Sequence, residues 1–314
     1  HQQPGMNSRD ELSRGIVAYG PGPVEGDDNG ARKEYANPDF WEKRFEGTEG
    51  LFDWYATYEE LNDTFEEFCP VRREGSGDLL VVGCGNSAFS AELHAAGYQQ
   101  ITSIDISATA IRKMQKHFER PGLTWQTMDA TSMTFEDDRF DLAVDKGTLD
   151  AMMSAGDQEH TLAGALLSET WRVLKPSGLL ILVSHSGKRM KLLRSHGHWR
   201  CIELRRCRLS PQATFINMLR SKLPLGAPLK DAFQQPQLLQ EASQEAKDAL
   251  RRMAFIDAFR IFKARKKAQM GEDRMEAEED LADAAEQNEE NVPSDPRRQP
   301  FCWVYVLRKV EHSK

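Results

Sequence analysis

Gly83-Cys84-Gly85-Asn86-Ser87 follows a short apolar run, Leu79-Leu80-Val81-Val82, and opens a segment of helical character. Small residues at such a turn let backbone approach a ligand, and a helix N-terminus offers unpaired N–H groups and the positive end of its dipole. The same turn also serves plain strand-to-helix packing, so these five residues alone leave both uses open. The third glycine of a dinucleotide fingerprint is absent, which counts against a nicotinamide dinucleotide. Asp105 ends the next apolar run roughly 20 residues further on, where an acid can accept both hydroxyls of an adenosine ribose. Its competing use is to cap the helix beginning near Ser107. Asp129 and Ala130 close a third run. A carboxylate there can accept from an adenine amino group while the Ala130 N–H meets the ring; a turn aspartate is the simpler use. Asp145, Lys146 and Asp150, within DKGTLD at the end of a fourth run, put two acids and a base where a turn requires none of them. Here too, a cap and a solvated charge remain the alternatives.

The elements that must position these residues alternate along the chain. Strands are expected at 78–82, 101–106, 123–129, 140–145 and 179–184, with helices from Ser87 to Gly97, Ser107 to Glu119 and Asp157 to Leu174, the last stopped by Lys175-Pro176-Ser177-Gly178. Strands separated by helices of this length form a parallel sheet with right-handed crossovers, and their apolar character implies burial on both faces. All four candidate clusters then fall at the carboxyl ends of strands, the edge where open α/β sheets bind ligands. Upstream, aromatic residues crowd between Tyr35 and Tyr58, and Tyr58 to Phe68 has helical spacing. Downstream, Trp199–Leu209 reads as a half-exposed strand and Phe301–Arg308 as a strand rich in β-branched and aromatic residues.

The remainder differs in character. Residues 1–34 read as a flexible arm, 211–234 as irregular chain, 237–270 as a long helix with an apolar stripe from Leu250 to Phe262, and 272–299 as an acidic, disordered linker. The domain layout is therefore an arm at 1–34, one α/β domain from 35–210 plus 300–310, and an insertion at 211–299. Basic residues at 188–208 and 251–267 suggest that the insertion helps select a macromolecular acceptor. Of 314 residues, 39% are hydrophobic and 29% charged, enough for one sizeable core but not for a fully compact body. A net charge of −8 argues against a general nucleic-acid binder, and no direct DNA binding is expected. No apolar run approaches the ~20 residues of a membrane span, and no charged-then-apolar leader is read at the start. Five widely spaced cysteines without zinc spacing point to a reduced, cytoplasmic protein with no structural metal.

Taken together, the motifs resemble those of class I S-adenosylmethionine-dependent methyltransferases. LLVVGCGNS resembles the first motif, SIDIS the ribose-binding second, MDA the adenine-binding third, and VLKPSG the lead-in to the fifth strand. DFWEKRFEG, FDWY, VVGCGNSAFS, IDIS and DKGTLDA are closer still to the group that modifies translation elongation factor 1-alpha on lysine or at its N-terminus. The likeness covers roughly 36–184. Val81 departs from it, standing where many members carry an acid, and 211–299 has no counterpart. The resemblance implies a Rossmann-like seven-stranded sheet, mostly parallel, with helices on both faces and an antiparallel last strand at 301–308 inserted between the fifth strand and that near 199–209. It implies S-adenosylmethionine as cofactor and a protein amine as acceptor, with elongation factor 1-alpha the candidate protein. By the same token it implies cofactor contacts from Trp41, Phe45, Trp54, Gly83, Cys84, Gly85, Asn86, Asp105, Ile106, Asp129, Ala130, Asp145 and Lys146. Aromatic faces suit a sulfonium, a cation without a hydrogen-bonding proton; a plain hydrophobic lid is the other use of those rings. Asp145 or Asp150 is expected to orient the acceptor amine. A small-molecule acceptor, a non-catalytic adaptor and a nicotinamide dehydrogenase are the competing functions.

Overall fold

The computed structural model describes residues 35, 37–69, 77–154, 161–187, 189–195, 199–225, 227, 229–244 and 301–310. Two helices come first, α1 (Pro38–Glu46) and α2 (Tyr58–Phe68). Then follow β1 (Asp78–Val82), α3 (Phe89–Ala95), β2 (Gln100–Asp105), α4 (Ala108–His117), β3 (Leu123–Thr127), β4 (Phe140–Lys146), α5 (Thr148–Met153), α6 (Thr161–Val173) and β5 (Leu174–Ser184). The chain continues through α7 (Arg189–Ser195), β6 (Trp199–Arg208), α8 (Pro211–Lys222), α9 (Leu229–Ala232) and β7 (Phe301–Lys309).

One seven-stranded sheet runs in the order β3-β2-β1-β4-β5-β7-β6. The pairs β1–β2, β1–β4, β2–β3 and β4–β5 are parallel, while β7 is antiparallel to both β5 and β6. The last strand thus enters between the fifth and sixth, as expected. Strand periodicity divides the apolar side chains between two layers. Leu79 and Val81 of β1 join Leu142, Val144, Ile181 and Val304 on one face, with α2 and α3 over them. Leu80 and Val82 join Ala143, Leu180, Leu182 and Tyr305 on the other, with α6 and α7.

Helix ends follow their local sequence. Asn37 caps α1 with Pro38 behind it, Thr57 and Glu60 form a reciprocal capping box on α2, and the Ser107 hydroxyl accepts from the Ala110 N–H at the start of α4. Phe45 stacks on Trp41 within α1, and Phe52 and Trp54, edge to face, belong to the chain between α1 and α2.

Two sequence expectations are corrected. β5 begins at Leu174, so Lys175–Gly178 lies inside the strand, where a register irregularity between Phe140 and Leu142 accommodates it. Residues 211–234 are not irregular: Pro211–Lys222 and Leu229–Ala232 are helices, and helical chain runs over 236–244. α8 buries Met218, Leu219 and Leu223 against Phe52, forming a third small core with Ala232 and Ala242. The arm at 1–34, the stripe from Leu250 to Phe262 and the acidic run at 272–299 lie outside the described residues.

The contact between α8 and the chain before α2 is close. A Cβ on Gly50 would lie 2.3 Å from the Arg220 carbonyl oxygen and 2.6 Å from that of Ser221. Backbone cannot retreat as a flexible side chain can. Gly50→Ala is therefore expected to destabilise the fold by about 1–3 kcal/mol, as overpacking does. Thermal unfolding reads this; an unchanged midpoint would mean that α8 does not dock where it is placed.

Candidate functional site

A cavity of about 170 Å³ opens along the carboxyl ends of β1, β2, β3 and β4. One water occupies ~10–15 Å³ on this measure, so the space suits an extended ligand rather than a few solvent molecules. Of the residues singled out above, Trp41, Phe45, Trp54, Gly83, Cys84, Gly85, Asn86, Asp105, Ile106, Asp129, Ala130 and Lys146 all line it.

The β1–α3 turn is built for close approach. Gly83 has φ +62°, and a Cβ there would lie 2.0 Å from the Thr148 hydroxyl. Gly85 has φ +53°, and a Cβ there would come within 3.3 Å of the Phe45 ring. The Cys84 N–H donates to the Ile104 carbonyl at 2.9 Å, and the Asn86 amide donates to the Gly50 carbonyl at 2.6 Å. Asp105 takes the Gly85 N–H on one oxygen and the Ser107 N–H on the other, at 2.8 and 2.9 Å. Burial pushes its pKa up to about 6, with Glu42 adding to the rise and the N–H donors of Ser107 and Gly85 opposing it. Asp129 is exposed and accepts from the Thr131 N–H and hydroxyl, which fixes the turn.

The aromatic wall is pinned from below. Glu42 of α1 receives the Ser107 and Thr109 hydroxyls, each at 2.5 Å, and these bonds hold its pKa down at about 2. Lys113 of α4 donates to the Phe45 and Thr48 carbonyls at 2.6 and 2.8 Å. Trp41 donates its indole N–H to the Tyr35 carbonyl and packs edge to face with Trp54, over which lies the Arg44 guanidinium.

Lys146 is neither solvated nor unpaired. Its ammonium donates to Asp53 at 2.8 Å and to the Trp54 carbonyl at 3.0 Å. Asp53, 2% exposed, also accepts from the Ser87 hydroxyl. Asn217 of α8 grips the Asp53 backbone from both sides, accepting its N–H and donating to its carbonyl. The sequence singled out neither Asp53 nor Asn217. The FDWY run drew attention to its rings, and Asn217 lies within chain read as irregular, although Ser210-Pro211 followed by Phe215, Met218 and Leu219 is a helix signal.

The structure gives Asp145 and Asp150 work other than direct contact with an amine. Asp145 is wholly buried and absent from the cavity wall; it caps α5 by accepting from the Thr148 and Leu149 N–H groups. Burial, reinforced by the neighbouring Asp150 charge, pushes its pKa up to about 7. Asp150 is also behind the wall. It accepts from Tyr55, Ser184, His185 and Arg189 at 2.7–2.8 Å. Burial alone would raise its pKa, but the Arg189 guanidinium and His185 outweigh it and hold the carboxyl well below the usual range. Tyr55, His185 and Arg189 were not foreseen as partners, since nothing local in sequence joins them. Among the described residues no cluster has the makings of a metal site, and no helix is long and apolar enough to cross a membrane.

Residues 80–182 match the family described as a methyltransferase domain. The eEF1A lysine and N-terminal methyltransferase of Xenopus laevis is 42% identical over 176 residues, covering 53% of this chain and 25% of that protein. Its counterpart in Danio rerio is 40% identical over 155 residues, covering 48% and 22%. EEF1A lysine methyltransferase 4 of Mus musculus is 33% identical over 172 residues, covering 51% and 65%. The match therefore spans a quarter or less of the first two relatives and just under two thirds of the third.

The raised pKa of Asp105 has opposite consequences for folding and for binding. The folded chain holds this proton more firmly than the unfolded one. The group's contribution to stability is therefore complete below the unfolded value near 3.9 and is lost as pH rises through about 6. A ribose diol needs the ionised acceptor. Affinity for S-adenosylhomocysteine is thus expected to rise between pH 5 and 7.5 with an apparent pKa about 6, and Asp105→Asn is expected to flatten that rise. Calorimetric titration across pH checks both; a wild-type affinity indifferent to pH would remove Asp105 from the binding contact.

Proposed function

We propose that this chain, which carries a methyltransferase domain over 80–182, is a class I S-adenosylmethionine-dependent methyltransferase acting on a protein amine, a lysine side chain or an N-terminus. The observation that carries this reading is the cavity's division of chemistry along the strand order. Acidic acceptors, Asp129 and Asp105, stand at the β3–β2 end, glycine backbone with the Phe45 ring over it at β1, and Trp54 and Tyr55 with a neutralised lysine at β4.

The residues present fit a sulfonium-bearing nucleoside. Among the described lining residues Lys146 is the basic one, and Asp53 pairs its charge, so a cationic ligand meets no bare cation. Rings of Trp41, Phe45 and Trp54 supply faces suited to a cation, an attraction of about 0.5–2 kcal/mol. A pyrophosphate would instead meet Asp105 and Asp129, which disfavours a nicotinamide dinucleotide. When bound, S-adenosylmethionine supplies an electrophilic methyl group for direct displacement by a neutral amine.

The chain's own residues bind, align and exclude water. Asp105 receives the ribose hydroxyls, while Asp129 and the Ala130 N–H face the adenine edge. Alignment of reacting groups alone lowers a barrier by about 7–11 kcal/mol. Free lysine has a pKa near 10.4, and a slot walled by rings favours its neutral form by desolvation. The names of the relatives support translation elongation factor 1-alpha as acceptor. We place α8 with the catalytic unit, because Asn217 holds the segment that pairs Lys146. Five cysteines without a disulfide are in keeping with a reducing, cytoplasmic setting.

The test has two steps. Titration with S-adenosylmethionine is expected to give saturable heat, and Asp105→Ala to weaken binding ten- to a hundredfold, the worth of a charge-assisted hydrogen bond of about 1.5–3 kcal/mol. Incubation of the full chain with labelled cofactor and purified elongation factor 1-alpha is then expected to label that protein on lysine or at its N-terminus by mass spectrometry. Absence of heat at near-millimolar cofactor would favour an adaptor. Binding without transfer to the factor, but with transfer to a metabolite, would favour the small-molecule reading.

A further inference from the structure

Tyr55 stands between the cavity and the buried carboxylate of Asp150. Asp129 and Asp105 occupy the β3–β2 end of the cavity, so its other end is bounded by Lys146, Gly147 and Thr148 after β4, and Tyr55 lines the wall there. The Tyr55 backbone has φ +63°, a conformation that bulky residues seldom adopt and that concentrates at functional sites. Gly147, at φ +98°, makes room for the ring: a Cβ there would come within 3.1 Å of Tyr55 Cε2.

The hydroxyl is equally constrained. It donates to Asp150 Oδ2 at 2.8 Å and lies 3.4 Å from His185 Nδ1. Asp150 is kept anionic by the Arg189 guanidinium on Oδ1 at 2.8 Å, with the Ser184 hydroxyl and the His185 N–H completing its shell. A phenol has one proton to give. With that proton committed to a carboxylate that stays ionised, the Tyr55 oxygen meets any further partner only as an acceptor.

We propose that Tyr55 positions the acceptor nitrogen, its hydroxyl oxygen taking an N–H of the incoming amine at the β4 end of the cavity. The proposal rests on the methyl-transfer reading and narrows it to nucleophiles that carry an N–H, primary and secondary amines; a fully substituted nitrogen offers none. Asp150 and His185 are then positioning residues that act through Tyr55. This gives Asp150 a part in the site although it does not reach the cavity.

The experiment compares two ligands on the full chain, wild type and Tyr55→Phe. One is S-adenosylhomocysteine. The other is sinefungin, in which carbon replaces the sulfur and a primary amine takes the place of the methyl, so that its N–H groups point toward the acceptor side, where the Tyr55 oxygen is placed. The wild type is expected to prefer sinefungin. Tyr55→Phe keeps the ring and leaves Asp150 three other partners, so it is expected to retain S-adenosylhomocysteine affinity within about twofold while losing about tenfold of the preference, the worth of a hydrogen bond to a charged group. A wild type with no preference, or a preference equal in both proteins, overturns the assignment while leaving cofactor binding intact. Loss of both ligands alike in Tyr55→Phe makes Tyr55 a structural support and also overturns it. If the wild type binds neither ligand, the methyl-transfer reading fails, and this proposal with it.

Discussion

Asp53 and Lys146 meet at 2.8 Å with side chains 3% and 8% exposed, and the wall of the cavity hangs on that pair. Removing one partner from a buried ion pair typically costs about 3–5 kcal/mol, because the other charge is left without compensation. Here compensation is nearly complete. Asp53 has the Ser87 hydroxyl as well as the ammonium, and Lys146 has the Trp54 carbonyl. The pair therefore joins three things: the strand end of β4, the entry to α3 and the segment carrying Trp54 and Tyr55. Burial makes the arrangement specific, since water cannot replace any of the three partners.

Asp145 and Asp150 show how the same segment can hold two carboxylates whose pKa values are moved in opposite directions. Both are fully buried, and burial alone would raise both. Asp145 has only backbone donors from the α5 N-terminus and a neighbouring anion, so its pKa climbs to about 7. Asp150 has Arg189, brought by α7 from beyond β5, and stays ionised. The difference is made by a residue nearly forty positions away rather than by the local motif. Its effect on the cavity passes through Tyr55, whose hydroxyl proton the anion claims.

This division also explains what the sequence disclosed. The glycines after β1 and the acids at the ends of β2 and β3 are local patterns with local causes, and they fell on the cavity as read. The parallel sheet followed from alternation, and the placing of β7 between β5 and β6 from family likeness. What stayed hidden was long-range pairing. Asp53 joins Lys146 and Asn217, and Tyr55 joins Asp150 and His185, across separations that no periodicity encodes. The one local signal passed over was α8, where Pro211 at the first helical position and the spacing of Phe215, Met218 and Leu219 mark an amphipathic helix.

The two sides of the cavity are also held differently, and the contrast follows from exposure. α1, with Trp41 and Phe45, rests on α4 through Glu42, whose side chain is one third exposed, and through Lys113 bonded to carbonyls at the helix end. Solvent competes for those contacts. The segment from Gly50 to Thr57 is instead locked by a buried ion pair, by the two Asn217 bonds and by a glycine too close to α8 to bear a side chain. The part-exposed side of the wall thus comes from a helix before the sheet, and the buried side from clamping the next segment between β4 and a helix that follows β6, so that the residues bounding the β4 end of the cavity are the more firmly held.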